Sequence, residues 1–220
     1  MKSFVINLKK RPDRLAKFQQ QFDPSIFSTF TVLPAFDGST LNISELQSRI
    51  NPWNITHLSP YTLRGVVGCA LSHLECYRLI QQDTSSDYFF IFEDDASFID
   101  SDAVSRFSEL FSNIDSLSFP SDLGILYLNS FYFSFTNQSI SNKVDPNTNW
   151  YPTTHCYTTE SYLIHKECAK YLYELNINNL GAIDAHISQQ LNKDKDTHWK
   201  TYALTKPLFF QQNRKDSNIR

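Results

Sequence analysis

Long apolar runs, an excess of basic charge and glycine are all scarce in this 220-residue sequence. No stretch reaches the ~18 uninterrupted apolar residues of a membrane-spanning helix, so we expect no transmembrane segment. Lys and Arg total 20 against 23 for Asp and Glu, which gives a formal net charge of -3. Because duplex nucleic acid attracts proteins with a basic excess, we expect no nucleic-acid partner.

The cysteines and the N-terminal segment indicate in which cellular compartment the protein is expected. The four cysteines show no C-x-x-C spacing, which favours free buried thiols over disulfides or zinc ligands. The apolar patch at 4–8 is too short for a signal peptide. We therefore expect a cytoplasmic protein, and leave open a peripheral membrane attachment and a viral or bacterial origin.

Apolar runs with strand character alternate with amphipathic helical segments along the chain. Strands are predicted at 4–8, 30–35, 88–92, 124–128, 158–164 and 201–210, and helices from Arg11 and over 65–82, 103–110 and 166–175. The segment 39–62 is predicted as a helical turn plus a long loop, and 130–151 as a hairpin or mobile loop. This order favours a single α/β domain with a mainly parallel central sheet, whose ligands bind beyond the carboxyl ends of its strands.

The strand predicted at 88–92 runs directly into Glu93, Asp94 and Asp95. Hard divalent cations such as Mn²⁺ or Mg²⁺ prefer oxygen ligands, so these carboxylates are candidates for a metal site. Because side chains alternate along a strand, we expect Glu93 and Asp95 on one face and Asp94 on the other. An acidic turn without a metal is the alternative.

Polar residues also follow the first strand, at the edge where the acidic cluster is expected. Arg11 and Arg14 carry planar guanidinium groups that suit phosphate, and Asn7 suits the edge of a nucleotide base. Two arginines on the solvated face of a helix are the simpler alternative.

A further group of candidate residues combines small and titratable side chains. Gly65 and Gly68 indicate a close backbone approach or a tight turn in a chain with only 5 glycines. Ser72 suits contact with a phosphate or sugar hydroxyl, and His73 suits proton transfer. Asp184 suits the role of a general base, although a helix cap is the usual role of such a residue.

Taken together, these motifs resemble glycosyltransferase family 25, which includes bacterial lipooligosaccharide galactosyltransferases and collagen-type hydroxylysine galactosyltransferases. The resemblance follows the family's order through nearly the whole chain. The matching segments are 5–8 with Arg11, Asp13 and Arg14; 65–69 with Ser72 and His73; 92–96; 159–164 with Ala169; 183–184; and 207–211 with Ser217 and Ile219.

The resemblance implies a GT-A-like, Rossmann-type domain over 1–220, with a nucleotide-binding part at about 1–128 and an acceptor-side part at about 129–220. It implies inverting transfer of a hexose, galactose or glucose, from a UDP-sugar to a glycan or glycoprotein acceptor, with Mn²⁺ or Mg²⁺ as cofactor.

Site roles follow from the resemblance together with the chemistry of the residues. The metal is expected at Glu93, Asp94 and Asp95, and the general base is expected to be Asp184, with His73 in reserve. The residues expected to bind the nucleotide and diphosphate are Asn7, Arg11, Arg14, Gly68, Ser72 and Asp94.

Two positions depart from the family pattern. Val66 stands where a Glu is expected, and Asn218 stands where the ending usually has Asp. Two alternatives stay open. One is a metal-dependent phosphohydrolase that uses the same carboxylates, and the other, suggested by these departures, is a nucleotide-sugar-binding module with weakened or no catalysis.

Overall fold

The computed structural model describes residues 2–129, 149–153, 158–192 and 196–212. Its strands are β1 (Ser3–Asn7), β2 (Phe30–Pro34), β3 (Tyr88–Glu93), β4 (Ala96–Phe98), β5 (Leu123–Tyr127), β6 (Trp150–Thr153), β7 (Ser161–His165), β8 (Lys200–Leu204) and β9 (Phe209–Gln211). Its helices are α1 (Pro12–Gln19), α2 (Pro24–Phe27), α3 (Ile43–Leu46), α4 (Pro52–His57), α5 (Pro60–Gln82), α6 (Ser101–Asn113), α7 (Lys166–Asn176) and α8 (Ile183–Asn192). Three 3₁₀ turns span Gly38–Thr40, Gln47–Arg49 and Ile114–Ser116.

Seven strands form the central sheet in the order β2-β1-β3-β7-β5-β8-β6. The pairings of β1 with β2, β1 with β3 and β5 with β8 are parallel, whereas β7 and β6 run against their neighbours. Five strands therefore share one direction, and the predicted α/β fold with a mainly parallel sheet is confirmed. A separate pair, β4 and β9, is antiparallel.

Apolar side chains cover both faces of the central sheet. Along β3, Phe89 and Ile91 pack on the face that carries α5, whereas Phe90 and Phe92 pack on the opposite face against Phe107 of α6. A strand buried on both faces has a continuous apolar sequence, which explains the run that precedes the acidic cluster.

Helix α5 begins five residues before the predicted start. Ser59 caps it by accepting a hydrogen bond from the Thr62 backbone N–H, and Pro60 occupies its first turn. Pro52 begins α4 in the same way, after the cap residue Asn51. The predicted long loop at 39–62 was therefore wrong, because proline at the first helical position starts a helix.

The predicted strand at 201–210 was also wrong as a single element. It divides into β8, in the central sheet, and β9, which pairs with β4. Pro207 lies between them and has no backbone N–H to continue a ladder. Strand β6 and helix α8 were not predicted, and residues 130–148 of the predicted hairpin or loop lie outside the described residues.

The remaining expectations concern thiols and membranes. Cys69, Cys76 and Cys168 are free, as predicted, and Cys156 lies outside the described residues. Among the helices of the described segments, none combines the length and the apolar character needed to cross a membrane.

Gly68 brings α5 against the segment that follows β2. A Cβ atom at position 68 would lie 2.7 Å from the Phe36 carbonyl oxygen and 3.0 Å from the Gly38 nitrogen. The neighbouring Ser72 Oγ accepts a hydrogen bond from the Phe36 N–H at 2.9 Å and donates one to the Gly68 carbonyl at 2.7 Å. The predicted close backbone approach is thus confirmed, in mid-helix rather than at a turn.

We expect Gly68→Ala to lower the free energy of unfolding by about 1–3 kcal/mol, because rigid backbone atoms must move to admit the methyl group. Urea denaturation measures the loss. The exposed Gln82→Ala in the same helix is the control and should change stability by no more than about 0.5 kcal/mol. Equal stability of Gly68→Ala and the unmodified protein would contradict this packing.

Candidate functional site

A cavity opens at the carboxyl ends of β1 and β3. The chain leaves β1 for β2 on one side and later returns as β3 on the other, so this is a switch point of the sheet, where ligands of α/β proteins usually bind. Its lining includes the basic side chains of Lys10, Arg14 and Arg64, and the acidic side chains of Asp37, Glu93, Asp94 and Asp95.

Arg14 bridges the two aspartates. Its Nη2 forms an ion pair with Asp94 Oδ1 and lies 2.8 Å from Asp95 Oδ2. Asn7 Nδ2 donates to Asp94 Oδ2 at 2.5 Å, and Gln211 Nε2 donates to Asp95 Oδ2 at 3.3 Å. Both aspartates are only 8% exposed.

Glu93 is held separately from this pair. Its Oε1 accepts a hydrogen bond from Thr159 Oγ1 at 2.7 Å and lies 3.4 Å from His73 Nε2. The expectation that Glu93 and Asp95 share one face and Asp94 the other was wrong, because β3 ends at Glu93 and the chain turns through Asp94 and Asp95. Because of this turn, Asp94 and Asp95 both contact Arg14.

The electrostatics of the three carboxylates differ. Burial and the nearby charge of Glu93 raise the pKa of Asp95 to about 7, and burial also raises the pKa of Asp94. Burial opposes ionisation of Glu93 too, but hydrogen bonding and charge from His73, with the Thr159 hydroxyl, bring its pKa below the ordinary value. The negative charge of Glu93 is therefore better compensated by its neighbours than the charges of Asp94 and Asp95 are.

Ser72 lines the cavity, and Asn7 and Gly68 support segments beside it. Asn7 Nδ2 donates to the Arg11 carbonyl at 3.0 Å in addition to Asp94, which fixes the loop after β1. Ser72 and Gly68 support the loop at Phe36.

Sequence reasoning placed Arg11 beside the ligand, but the structure turns its guanidinium to Asp13, at 2.9 and 3.0 Å, on the surface. Lys10 and Arg64 line the cavity instead. Lys10 Nζ lies 2.6 Å from Asp37 Oδ2. Lys10 and Arg64 belong to none of the motifs in the sequence, whereas their neighbours Arg11 and Gly65 do.

Asp184 lies in the first turn of α8, where its Oδ1 accepts the Ala185 N–H at 2.8 Å. Burial raises its pKa to about 6, and the charge of Glu93 adds to the shift. His73 is buried on α5, with Nδ1 2.8 Å from the Tyr162 hydroxyl. His73 thus contacts Glu93 directly, whereas Asp184 does not line the cavity and is related to Glu93 only through the effect of its charge.

Glu160 is a buried carboxylate that sequence reasoning missed. It precedes β7, and its carbonyl accepts the Glu93 N–H at 2.9 Å. Burial raises its pKa to about 7. Phe92 pairs with Ser161 in the antiparallel ladder of β3 and β7, so Glu93 and Glu160 lie opposite one another. Recognising that β7 is antiparallel would have found it.

A hard divalent cation fits the two aspartates. Asp95 Oδ1 is buried and has no hydrogen-bond partner among the described residues. Carboxylate oxygens are the ligands that Mn²⁺ and Mg²⁺ prefer. Val66 brings no carboxylate to the cavity, and Asn218 lies outside the described residues.

Residues 1–187 match the family model described as glycosyltransferase family 25 (LPS biosynthesis protein). A protein of Acanthamoeba polyphaga mimivirus named "Putative glycosyltransferase" is 35% identical over 98 residues, which are 44% of this chain and 29% of that protein. The match therefore spans less than a third of this relative's length.

Two solved structures are similar over nearly the whole chain. One is a glycosyltransferase involved in glycosylation of the major capsid of PBCV-1, with 11% identity, a TM-score of 0.48 and coverage of 99% of this chain and 96% of that chain. The other is a mutant of Drosophila β-1,4-galactosyltransferase 7 in complex with manganese, UDP-Gal and xylobiose, with 11% identity, a TM-score of 0.46 and coverage of 99% and 74%.

The buried Glu160 predicts a dependence of stability on pH. Its folded-state pKa of about 7 exceeds the ordinary 4.5, so the stability that it contributes in the protonated form is lost as the pH rises through about 7. We expect the free energy of unfolding of Glu160→Gln, relative to that of the unmodified protein, to rise by on the order of 1–3 kcal/mol when the pH is raised from about 5 to about 8. Urea denaturation at both pH values measures this difference.

The control is Glu109→Gln, which changes an exposed glutamate on α6. Its stability relative to the unmodified protein should stay constant between the two pH values. If Glu160→Gln behaves in the same way, Glu160 does not carry the raised pKa.

Proposed function

The chain belongs to glycosyltransferase family 25, and on this basis we propose that it transfers a hexose, galactose or glucose, from a UDP-sugar to a hydroxyl group of a glycan or glycoprotein. We propose that the transfer is metal-dependent and inverting. The observation that carries the proposal is the buried pair Asp94 and Asp95 at the switch point of the sheet, facing a cavity that also presents Lys10 and Arg64.

The donor is proposed to bind with its diphosphate beside these charges. Asp94 and Asp95 would hold Mn²⁺ or Mg²⁺, which when bound supplies positive charge that stabilises the leaving diphosphate. Arg64 and Lys10 present further positive charge from the wall of the cavity. Asn7 keeps the Asp94 carboxylate in a fixed orientation through its 2.5 Å hydrogen bond. Asn7 and Arg11 remain our candidates for the nucleotide end, and Arg11 would reach it only by leaving its ion pair with Asp13.

Arg14 has a structural task when no ligand is bound. Asp94 and Asp95 are adjacent in the sequence and buried, so their negative charges repel each other. The Arg14 guanidinium contacts both carboxylates and offsets this repulsion. Arg14 also brings positive charge to the place where the diphosphate would lie. Its contacts support a role in opposing the rise that burial causes in the pKa values of the two carboxylates, and in placing them for the donor.

The acceptor side is proposed to use Asp184 as the general base. Its Oδ1 is occupied by the Ala185 N–H, which leaves Oδ2 to take the proton of the acceptor hydroxyl. A base with a pKa of about 6 is ionised at neutral pH, and it still binds a proton more readily than an ordinary carboxylate. His73 remains the reserve candidate, because its ring is engaged with Tyr162 and Glu93.

The domain division and the location are part of the same proposal. The lining residues of the donor cavity all come from the part at about 1–128, whereas Asp184 and Glu160 belong to the acceptor-side part at about 129–220. We propose one glycosyltransferase domain of GT-A-like type over 1–220, in a cytoplasmic protein.

We expect UDP together with Mn²⁺ to raise the melting temperature by roughly 5–10 °C at a ligand concentration near 100 times Kd. Asp95→Asn should abolish the shift, because it removes a carboxylate proposed to hold the cation. Differential scanning fluorimetry measures both. The control is Asp102→Asn, because Asp102 also pairs with an arginine, Arg106, but on the exposed surface. No shift in the unmodified protein would refute the proposed donor site.

A screen of UDP-sugars with Mn²⁺, with and without candidate acceptors, separates the proposed activity from its alternatives. Sugar transfer that outpaces release of phosphate or UMP supports the transferase. Faster release of phosphate or UMP with every acceptor indicates a phosphohydrolase instead. Binding of UDP-sugar without turnover indicates a non-catalytic module.

Asp184→Asn should lower kcat by about 10²–10⁴-fold with little change in the KM for the donor, because the amide cannot accept the proton. In the unmodified protein the rate should fall as the pH drops through about 6, where Asp184 becomes protonated. Steady-state rates across pH measure both effects. Asp115→Asn, at an exposed aspartate, is the control. A KM effect alone would assign Asp184 to binding.

A further inference from the structure

Cys69, His73 and Glu93 form a second cluster in the cavity. Cys69 and His73 are four residues apart on α5, so they lie on the same face of the helix, and Glu93 meets them from the end of β3. The cysteine sulfur, a histidine ring nitrogen and a glutamate oxygen lie within 4.8 Å of one another. All three residues line the cavity, which gives an ion a path of entry.

Neighbouring hydroxyl groups hold two of these side chains in place. The Tyr162 hydroxyl lies 2.8 Å from His73 Nδ1 and 3.0 Å from the hydroxyl of Tyr77, and all three residues are buried. This contact leaves Nε2 as the ring nitrogen that faces Glu93. Thr159 donates to Glu93 Oε1 at 2.7 Å. Such outer contacts are what orient the ligands of protein metal sites.

The ligand chemistry differs from that of the aspartate pair. Sulfur, imidazole nitrogen and carboxylate oxygen together suit Zn²⁺ and other borderline metals, whereas Mn²⁺ and Mg²⁺ prefer oxygen alone. Asp94 and Asp95 are bound to Arg14, while Glu93 turns toward α5 and the loop before β7. The three acidic residues in sequence are thus divided between two sites of different character.

We propose that Cys69, His73 and Glu93 bind Zn²⁺ through Sγ, Nε2 and a carboxylate oxygen, with a fourth coordination position open to the cavity. On binding, the thiol releases its proton to solvent and the sulfur coordinates as thiolate. This site goes beyond the proposed transferase activity and needs neither donor nor acceptor. The absence of C-x-x-C spacing does not bear on this site, because only one of its ligands is a cysteine.

The experiment titrates the full chain with Co²⁺ alone, as a spectroscopic substitute for Zn²⁺. One equivalent should produce the near-ultraviolet absorption of a cobalt–thiolate bond, and Zn²⁺ should then displace the cobalt and remove the absorption. Cys69→Ser should abolish the band, and His73→Gln should weaken binding by more than about tenfold. Absence of the band in the unmodified protein, or an undiminished band in Cys69→Ser, would overturn the proposal.

Two control variants locate the ion. Cys76→Ala removes another thiol of α5 that is outside the cluster and should retain the band. Asp95→Asn should also retain it, because the aspartate pair is not part of this site. Loss of the band in Asp95→Asn would assign the ion to the aspartates and refute a separate site.

A second measurement covers the case in which Cys69→Ser fails to fold. In the unmodified protein, Zn²⁺ should slow alkylation of Cys69 by iodoacetamide at least about tenfold, as mapped by peptide mass spectrometry. An unchanged alkylation rate at Cys69 would refute the site. Both measurements omit UDP-sugars, so failure here leaves the proposed transferase activity untouched, and the reverse also holds.

Discussion

Buried negative charge is the constraint on which the cavity depends. Asp94 and Asp95 share Arg14, and Glu93 relies on His73 and Thr159. Burying a carboxylate without a partner is costly, and truncating one member of a buried charge pair usually costs more than forming the pair contributes. Arg14 and His73 are therefore requirements of the folded state as well as candidates for ligand binding.

The same constraint separates groups that are ionised from groups that hold protons. Glu93, next to His73, keeps its pKa below the ordinary value, whereas the pKa values of Asp95, Glu160 and Asp184 are raised to between about 6 and 7. Carboxyl groups that titrate near neutral pH are suited to exchange protons with a substrate or to give them up when a cation arrives. The excess of acidic groups over nearby cations thus makes the cavity receptive to positive charge.

Much of the fold was predictable because it rests on local patterns. The run 88–92 is apolar throughout since β3 is buried on both faces, and α5 shows helical spacing over most of its length. The direction of β7 was not predictable, because an apolar strand has the same pattern in either orientation. That direction decides that Glu160 faces Glu93, so the missed acid and the missed antiparallel pairing share one cause.

The small sheet of β4 and β9 has a consequence for the order in which the site is assembled. It brings Gln211 and Gln212 to Asp95, whose Oδ2 and backbone carbonyl accept their hydrogen bonds at 3.3 and 2.8 Å. These contacts join residues more than a hundred positions apart, so closing the chain between them costs entropy. During synthesis Asp95 can receive these hydrogen bonds only after Gln211 and Gln212 have emerged from the ribosome.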